Sequence, residues 1–200
     1  MKIKNTIIST SYLPPITYFQ YLYKYASIYT EHKEYYMRHS IRNRALILAS
    51  KRDFLLTVPI VRKHYSKTLV EDIKIADMNW QKKHINSIQS AYGASPFFIH
   101  YFEDIKKIIN KNYTFLMDLN YDLIQYFLVE LKISNNLKQT SCYVKKYPNN
   151  YLDQRDKIKV HMDSKEYIPF GHQSPIPNLS IIDLMFNLGP NAKEYIHPHN

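Results

Sequence analysis

The sequence predicts an α/β fold in which one domain holds a mixed β-sheet flanked by helices. Three observations favour this fold class. The β-like run Thr6–Thr10 leads through two prolines into aromatic residues at helical spacing, and a strand–turn–helix opening is typical of α/β proteins. Residues 51–53 separate two apolar runs, which predicts a hairpin or two neighbouring strands. From Trp80 onward, apolar residues recur with helical periodicity.

Short apolar or alternating runs predict the strands, and longer periodic runs predict the helices. Beyond Thr6–Thr10, the predicted strands are Ala26–Thr30, Ala45–Ala49, Phe54–Ile60 and Leu69–Ala76, with a further β-like run at Thr140–Val144. After an aromatic helix around Tyr18–Tyr25, helices are predicted at about 80–92, 96–109, 119–131 and 181–188. Residues 145–176 are polar and rich in both charge signs, so an irregular segment within the single domain 1–200 is predicted there.

Capping residues motivate the helix boundaries. Asp77 or Asn79 can cap the helix at 80–92, and Gly93 is expected to end it in the left-handed conformation. Ser95-Pro96 offers an N-cap and a first-turn proline for the next helix. The remaining predicted caps are Asp118 or Asn120 before the third helix, Ser180 before the last helix and Gly189-Pro190 at its end.

Composition places the chain among globular proteins. Its 200 residues are 45% hydrophobic and 14% aromatic, and this length suits one domain with a sizeable core. The lone Cys142 cannot form an internal disulfide, which suits a reducing compartment. The apolar run near the start is too short for the core of a signal peptide, and no stretch approaches the roughly 20 apolar residues of a membrane span. A cytoplasmic protein is therefore predicted.

The net charge of +10 would ordinarily suggest a nucleic acid or an anionic surface as partner. Lysine accounts for 21 of the 27 basic residues, and the lysines are spread along the chain. Lys, Ile, Asn and Tyr are all unusually frequent, so nucleotide bias in their codons explains much of the basicity. A solvated basic surface is predicted, without specific nucleic-acid binding.

Arginine is rare in this sequence, and two of its six copies stand at alternate positions in Arg42-Asn43-Arg44. In an extended chain Arg42 and Arg44 would point to one face. Guanidinium groups bind phosphate or carboxylate in a bidentate manner, which lysine cannot do. The segment therefore predicts a substrate-binding anion site. The alternative is a surface pair, or an arginine that neutralises a structural carboxylate.

Three further residues are candidates for the site. His84 is the candidate catalytic acid or base because histidine titrates near neutral pH, although a buried structural histidine is the alternative. Tyr12 lies in the first turn, where α/β proteins often bind ligands, and is otherwise a wall residue. Asp183 either faces the site or complements the N-terminal end of its helix. We expect Tyr12, the Arg42–Arg44 segment and His84 to share one cleft.

Several enzyme classes lack their motifs here. With three glycines, the chain has neither a P-loop nor a dinucleotide-binding fingerprint. It also lacks the Gly-x-Ser-x-Gly elbow and the His-Glu-x-x-His zinc motif. The nine histidines are scattered, so no metal site and no cofactor is predicted.

Six blocks of the sequence resemble the WbqC-like family. The strongest is WQKKHINSIQSAYGASPFF (Trp80–Phe98), in which a Trp, a His four residues later and a Ser-Ile pair lead to Ala-Tyr-Gly and Ser-Pro-Phe-Phe. The other blocks are SYLPPITYF (Ser11–Phe19), RNRALIL (Arg42–Leu48), LLTVPI (Leu55–Ile60), FLMDLN (Phe115–Asn120) and PNLSIIDLMFNLGP (Pro177–Pro190). The chain departs from the family at Tyr167–Gln173, where YIPFGHQ replaces a Tyr-x-Gln-Phe-like element.

The resemblance implies a role in surface polysaccharide biosynthesis, because the family is named after a protein encoded with O-antigen biosynthesis. Together with an anion site, a histidine and tyrosines, it predicts a metal-independent transferase. Its substrate would be a phosphate- or nucleotide-activated sugar, or the acyl or aminoacyl decoration of that sugar. The alternative is a non-catalytic module that binds a protein partner or a nucleic acid through its Tyr- and Lys-rich surface.

Overall fold

The computed structural model describes residues 5–49, 52–61, 67–77, 79–135, 137–155, 158 and 167–197. The strands are β1 (Asn5–Ser9), β2 (Ile28–Glu31), β3 (Arg44–Ala49), β4 (Arg52–Thr57), β5 (Lys138–Gln139) and β6 (Tyr151–Asp153). The helices are α1 (Ile16–Lys24), α2 (Trp80–Tyr92), α3 (Phe98–Ile109), α4 (Leu116–Glu130), α5 (Ile181–Leu188) and α6 (Lys193–Ile196). Short 3₁₀ helices occupy Val70–Asp72 and Gly189–Ala192.

The strands form a parallel sheet and an antiparallel hairpin. Four strands lie in the order β5-β2-β1-β6, and each neighbouring pair is parallel. Strands β3 and β4 pair antiparallel with Leu46 opposite Leu55. This architecture confirms the predicted mixed α/β fold. Because parallel strands end on the same side, the residues that follow β1, β2 and β6 meet at one edge of the sheet, called here the carboxyl edge.

One apolar core joins the sheet, the hairpin and the helices. Helix α2 buries Trp80, His84, Ile85, Ile88 and Tyr92, so the predicted apolar stripe of this helix is confirmed. The other helices bury their periodic apolar residues in the same core, including Phe102 of α3 and Phe127 of α4. Within the described residues, no helix is long and apolar enough to cross a membrane.

The predicted strand at Leu69–Ala76 is wrong. This segment contains the 3₁₀ helix Val70–Asp72 and only isolated β-bridges. Its backbone groups bond several different segments: the Val70 amide donates to Glu34, whereas the Ile75 amide donates to Thr114. Alternating apolar residues are buried here, but the described part of the chain pairs with them only through isolated bridges and not as a continuous strand.

The β-like run predicted at Thr140–Val144 is also wrong, because β5 ends at Gln139. The Thr140 amide still donates to the carbonyl of Thr30, while its hydroxyl turns to the Glu31 carboxylate at 2.8 Å. The segment 145–176 contains the short strand β6, and residues 156, 157 and 159–166 lie outside the described residues.

Two of the helix-boundary predictions are confirmed, and the others shift. The Ser180 hydroxyl accepts the Ile182 amide at the start of α5, and Gly189 ends that helix with a φ of 54°. Gly93, in contrast, is right-handed with a φ of −57°. A Cβ at Gly93 would lie 2.7 Å from the Gln89 carbonyl oxygen, so the close approach, not left-handed φ, favours glycine. Asn79 is at the N-cap of α2 without a side-chain cap bond.

Helices α3 and α4 begin without the predicted side-chain caps. Helix α3 starts at Phe98, two residues beyond the proline of the predicted Ser95-Pro96 start. Helix α4 starts at Leu116 after an uncapped Phe115, so neither Asp118 nor Asn120 is its N-cap. Asp118 instead contributes negative charge to the first turn of that helix.

Candidate functional site

A buried ionic network lies at the carboxyl edge of the parallel sheet. Arg42 donates from Nε to the Glu34 carboxylate at 2.9 Å, and its Nη2 contacts both that carboxylate and the Ser9 hydroxyl, the latter at 2.7 Å. Ser9 in turn donates to the backbone carbonyl of Arg155 at 2.6 Å. The Arg42 side chain is only 1% exposed, so these partners offset the cost of removing its charge from water.

Arg155 is the second cation of the network. Its guanidinium binds Asp153 at 2.5 Å and lies 3.6 Å from the fully buried Glu31 carboxylate. The rings of Tyr143 and Tyr147 flank the guanidinium at 5.2 and 5.3 Å, which is cation–π distance. The hydrogen bond with Asp153 raises the pKa of Arg155, so the guanidinium stays charged. Asp153 and the two tyrosine rings also hold the guanidinium plane from several sides.

Next to this network is a cavity of about 270 Å³, called here the arginine cavity. Three arginines line it, Arg38, Arg42 and Arg155, together with His39. The described lining contains no carboxylate: Glu34, Glu31 and Asp153, which pair with Arg42 and Arg155, are not among its residues. The full described lining is Met37, Arg38, His39, Ser40, Ile41, Arg42, Arg155, Ile158 and Asn178.

A second cavity of about 220 Å³, called here the leucine cavity, adjoins the first. It shares four lining residues with the arginine cavity, His39, Ser40, Ile41 and Asn178, and adds Arg44. The rest of its described lining is apolar: Leu13, Pro15, Ala45, Leu46 and Leu55. Counting described residues, four of the protein's six arginines line one cavity or the other.

The backbone around these cavities is strained. Leu13, His39 and Asn178 have φ values of 39°, 55° and 60°, in the left-handed region that side chains other than glycine seldom adopt. Leu13 is held there by the Ser180 hydroxyl, which donates to its carbonyl at 2.9 Å. Strained residues of this kind concentrate at binding and catalytic sites.

The three residues of the Arg42-Asn43-Arg44 segment have different surroundings in the structure. Arg42 neutralises a structural carboxylate and also lines the arginine cavity. Asn43 is buried and structural: it accepts from the Tyr36 hydroxyl and donates to the Val58 carbonyl. Arg44 is half-buried and lines the leucine cavity, and its Nε has no hydrogen-bond partner among the described residues.

Tyr12 and His84 contact each other in the core. The Tyr12 hydroxyl lies 2.8 Å from His84 Nδ1, and the edge of Trp80 packs against both rings. Burial lowers the pKa of His84 to about 4, against a smaller opposing effect of its hydrogen bond with the Thr57 backbone, and burial raises the pKa of Tyr12. Neither residue lines the two cavities. Proton transfer by His84 stays a prediction.

Asp183 is the centre of a buried hydrogen-bond cluster. It accepts from the hydroxyls of Tyr92 at 2.8 Å and Tyr167 at 2.6 Å, and Asn187 donates to it at 3.4 Å. Burial raises the pKa of Asp183, and burial beside this carboxylate raises the pKa of Tyr92 and Tyr167. Tyr167 opens the stretch in which the sequence departs from the pattern of the family it resembles. A direct contact of Asp183 with substrate stays a prediction.

Sequence reasoning missed Arg155, the residue that completes the network. A signal was present, because Arg155 is one of only six arginines and stands in a Tyr-rich polar segment. Among the described residues, no cluster of three or more His, Cys, Asp or Glu side chains is arranged to hold a metal ion.

The chain matches the model of the WbqC-like protein family over residues 10–173, which is most of its length. The chain belongs to this family. It is also 22% identical to a Mycobacterium tuberculosis protein named Uncharacterized protein Rv1507c, over 96% of this chain and 97% of that protein. No solved structure matches it.

Several blocks of this WbqC-like protein that carry the family resemblance meet around the two cavities. The Ile181 amide donates to the Pro14 carbonyl at 2.9 Å, which joins the first block to the last. Asn120 of α4 donates to the Arg42 carbonyl at 2.8 Å, which joins the FLMDLN block to the arginine segment. The matched span 10–173 includes the whole ionic network except Ser9, whereas Asn178 and Asp183 lie beyond it.

Proposed function

We propose that this WbqC-like protein is a transferase that binds a phosphate- or nucleotide-activated small molecule in the arginine cavity. The substrate is an activated sugar or its acyl or aminoacyl decoration, used in surface polysaccharide biosynthesis. One observation carries the proposal: four of six arginines line two adjoining cavities whose described linings contain no carboxylate. Guanidinium groups bind phosphate, like carboxylate, in a bidentate manner.

The position of the cavity supports the same conclusion. In open α/β sheets, ligands bind beyond the carboxyl ends of the parallel strands, where Ser9, Glu31 and Asp153 lie here. The exposed, unpaired Cys142 agrees with a cytoplasmic location, where activated donors would be used.

The arginines suit the chemistry of group transfer from a phosphate. An acceptor hydroxyl or amine forms a bond to the transferred group and gives its proton to the departing phosphate or to solvent, while the bond between that group and the phosphate oxygen breaks. The phosphate leaves with the electron pair. Guanidinium groups held in place before the reaction stabilise this developing negative charge. Arg155 is fixed by Asp153 and two tyrosine rings, so it requires little reorganisation.

Binding can be tested by thermal shift and calorimetry with UDP-glucose, ATP, acetyl phosphate and a single-stranded oligonucleotide. A ligand at 100 times its Kd stabilises the folded state by about 2.7 kcal/mol. The exposed Arg38 is the residue to replace, because Arg38→Ala should weaken binding of the phosphate compounds without unfolding the protein. Lys107→Ala, an exposed lysine of α3, is the matched control.

Two results would contradict the proposal. Equal binding by the Arg38→Ala and Lys107→Ala variants would remove the arginine cavity as the site. Stabilisation by the oligonucleotide alone would favour the non-catalytic binding module. Transfer itself is followed by ³¹P NMR of the bound compound with an added amine acceptor, where a fully active His84→Gln variant would exclude proton transfer by His84.

A further inference from the structure

The arginine and leucine cavities adjoin each other. They share four lining residues, His39, Ser40, Ile41 and Asn178. Each cavity alone is smaller than the roughly 300 Å³ at which small-molecule sites begin, whereas the two together fall within the usual range. One ligand that filled both cavities would therefore occupy a site of ordinary size.

The arginine cavity and the leucine cavity differ in chemistry. The leucine cavity has an apolar floor in which Leu46 and Leu55 face each other across the β3–β4 hairpin. Leu55 remains 47% exposed, although burial of a leucine side chain is favourable by about 1.5–3 kcal/mol. A sugar presents hydroxyl groups that require hydrogen-bond partners, and this floor supplies none. An aliphatic group would instead cover apolar surface.

Arg44 gives the leucine cavity a polar rim. Its Nε is buried without a hydrogen-bond partner among the described residues, and burial of an unsatisfied donor is costly. That Nε is closed to a ligand, but Arg44 as a whole is half-buried and lines the cavity, so a carbonyl oxygen beside the aliphatic group would accept from the guanidinium Nη groups. An acyl group combines the two features, a carbonyl and an apolar chain.

We propose that the two cavities bind a single acyl donor, whose phosphate lies in the arginine cavity and whose acyl chain lies on Leu46 and Leu55. This inference rests on the proposed function, and within it selects an acyl group over a sugar as the transferred group. The donor class is an acyl group carried by a phosphate-containing molecule.

The test measures the binding of ethyl, butyl, hexyl and octyl phosphate to the whole protein by calorimetry, below their micelle concentrations. Each methylene that enters the leucine cavity should increase affinity by about fourfold, until the cavity is full. The corresponding alcohols, which lack the phosphate, should not bind at the same concentrations. This arm separates the proposed site from general adsorption of alkyl chains.

Two variants locate the effect. Leu55→Ser should leave the affinity for ethyl phosphate unchanged and flatten the dependence on chain length. Arg38→Ala should lower the affinity for every member of the series by the same factor. Val129→Ser, at an exposed apolar position on α4, is the matched control and should behave as the unmodified protein.

The outcomes separate this inference from the proposed function. If ethyl phosphate binds but longer chains add nothing, or if Leu55→Ser keeps the full chain-length dependence, the acyl proposal is wrong and the anion site stands. If ethyl phosphate binds equally well to the Arg38→Ala variant, the arginine cavity is not the phosphate site and both proposals fail.

Discussion

Arg42 illustrates how one side chain can serve both the fold and the site. Its guanidinium is almost wholly buried, yet Arg42 is one of the residues that line the arginine cavity. Glu34 and Ser9 hold it in one orientation, and Asn120 holds its backbone carbonyl. Such positioning fixes a charge before a ligand arrives, which is what stabilisation of a leaving phosphate requires.

Replacement of Arg42 should therefore affect stability first. Arg42→Ala deprives the nearly buried Glu34 carboxylate of its guanidinium, and removal of one partner of a buried ion pair costs about 3–5 kcal/mol. Arg42→Lys keeps the charge but loses the paired Nε and Nη2 contacts, so its cost should be smaller. Urea denaturation at neutral pH measures both. Arg38→Ala should cost less than Arg42→Ala, because Arg38 is exposed and Arg42 is buried, and an equal loss in both alanine variants would contradict this interpretation.

His84 should make stability depend on pH. Burial lowers its pKa from 6.5 to about 4 in the folded protein, so the unfolded chain takes up a proton first as the pH falls. Stability is therefore unaffected above pH 6.5 and decreases by about 3 kcal/mol as the pH falls toward 4. Urea denaturation between pH 4 and 7 should show a shallower pH dependence for His84→Gln. His100→Gln, at an exposed position, is the control variant and should follow the curve of the unmodified protein. Parallel curves of stability against pH for the unmodified protein and His84→Gln would refute the prediction.

At the scale of elements, both ends of α5 contact distant parts of the chain, Leu13 at one end and Phe97 at the other. Ser180 caps the helix and also holds Leu13 in its left-handed conformation. Gly189 ends the helix where the Phe97 ring packs against the chain. These two residues show why the last family block has its Ser and Gly where it does.

Two glycines with positive φ allow a matched comparison: Gly189 ends α5, and Gly171 lies outside that helix. Gly189 has a φ of 54°, and a Cβ there would lie 2.4 Å from the Phe97 ring, whereas Gly171 has a φ of 79° with open space around it. Gly171→Ala should cost about 1 kcal/mol from backbone strain alone, and Gly189→Ala should cost about 1–3 kcal/mol more from overpacking. Thermal denaturation of both variants measures the difference, and equal costs would show that Phe97 moves aside freely.

At the scale of the whole molecule, the lysines behind the charge of +10 are spread along the chain, whereas four of the six arginines line the two adjoining cavities. Several exposed lysines pair with nearby carboxylates, including Lys106 with Glu103 and Lys107 with Asp104. Exposed pairs of this kind contribute little to stability and are screened by salt.

Nucleic-acid binding should accordingly be weak and non-specific. Fluorescence anisotropy with labelled single- and double-stranded oligonucleotides should give Kd values of about 10⁻⁴–10⁻⁶ M at physiological salt, weakening steeply as salt rises. The reason is that dispersed lysines release counterions without reading bases. A sub-micromolar, sequence-dependent affinity at physiological ionic strength would overturn this prediction.

The sequence by itself determined the elements whose signals are local. Helices α2 and α5 have their predicted bounds of 80–92 and 181–188, because apolar spacing along α2 and the Ser180 and Gly189 caps of α5 act within a few residues. The hairpin of β3 and β4 was predicted for the same reason. The resemblance to the WbqC-like family was also readable, since its blocks consist of such short local patterns.

Only the tertiary structure decided how segments distant in the chain combine. Leu69–Ala76 has the alternation of a strand but no neighbouring strand, and β6 forms in a polar stretch because the edge of β1 is open to it. Arg155 joins Arg42 through Ser9, although no spacing in the sequence links the three. Periodicity indicates on which face of its own helix or strand a residue lies. Ion pairs, cavities and strand pairing depend instead on which other element packs against that face.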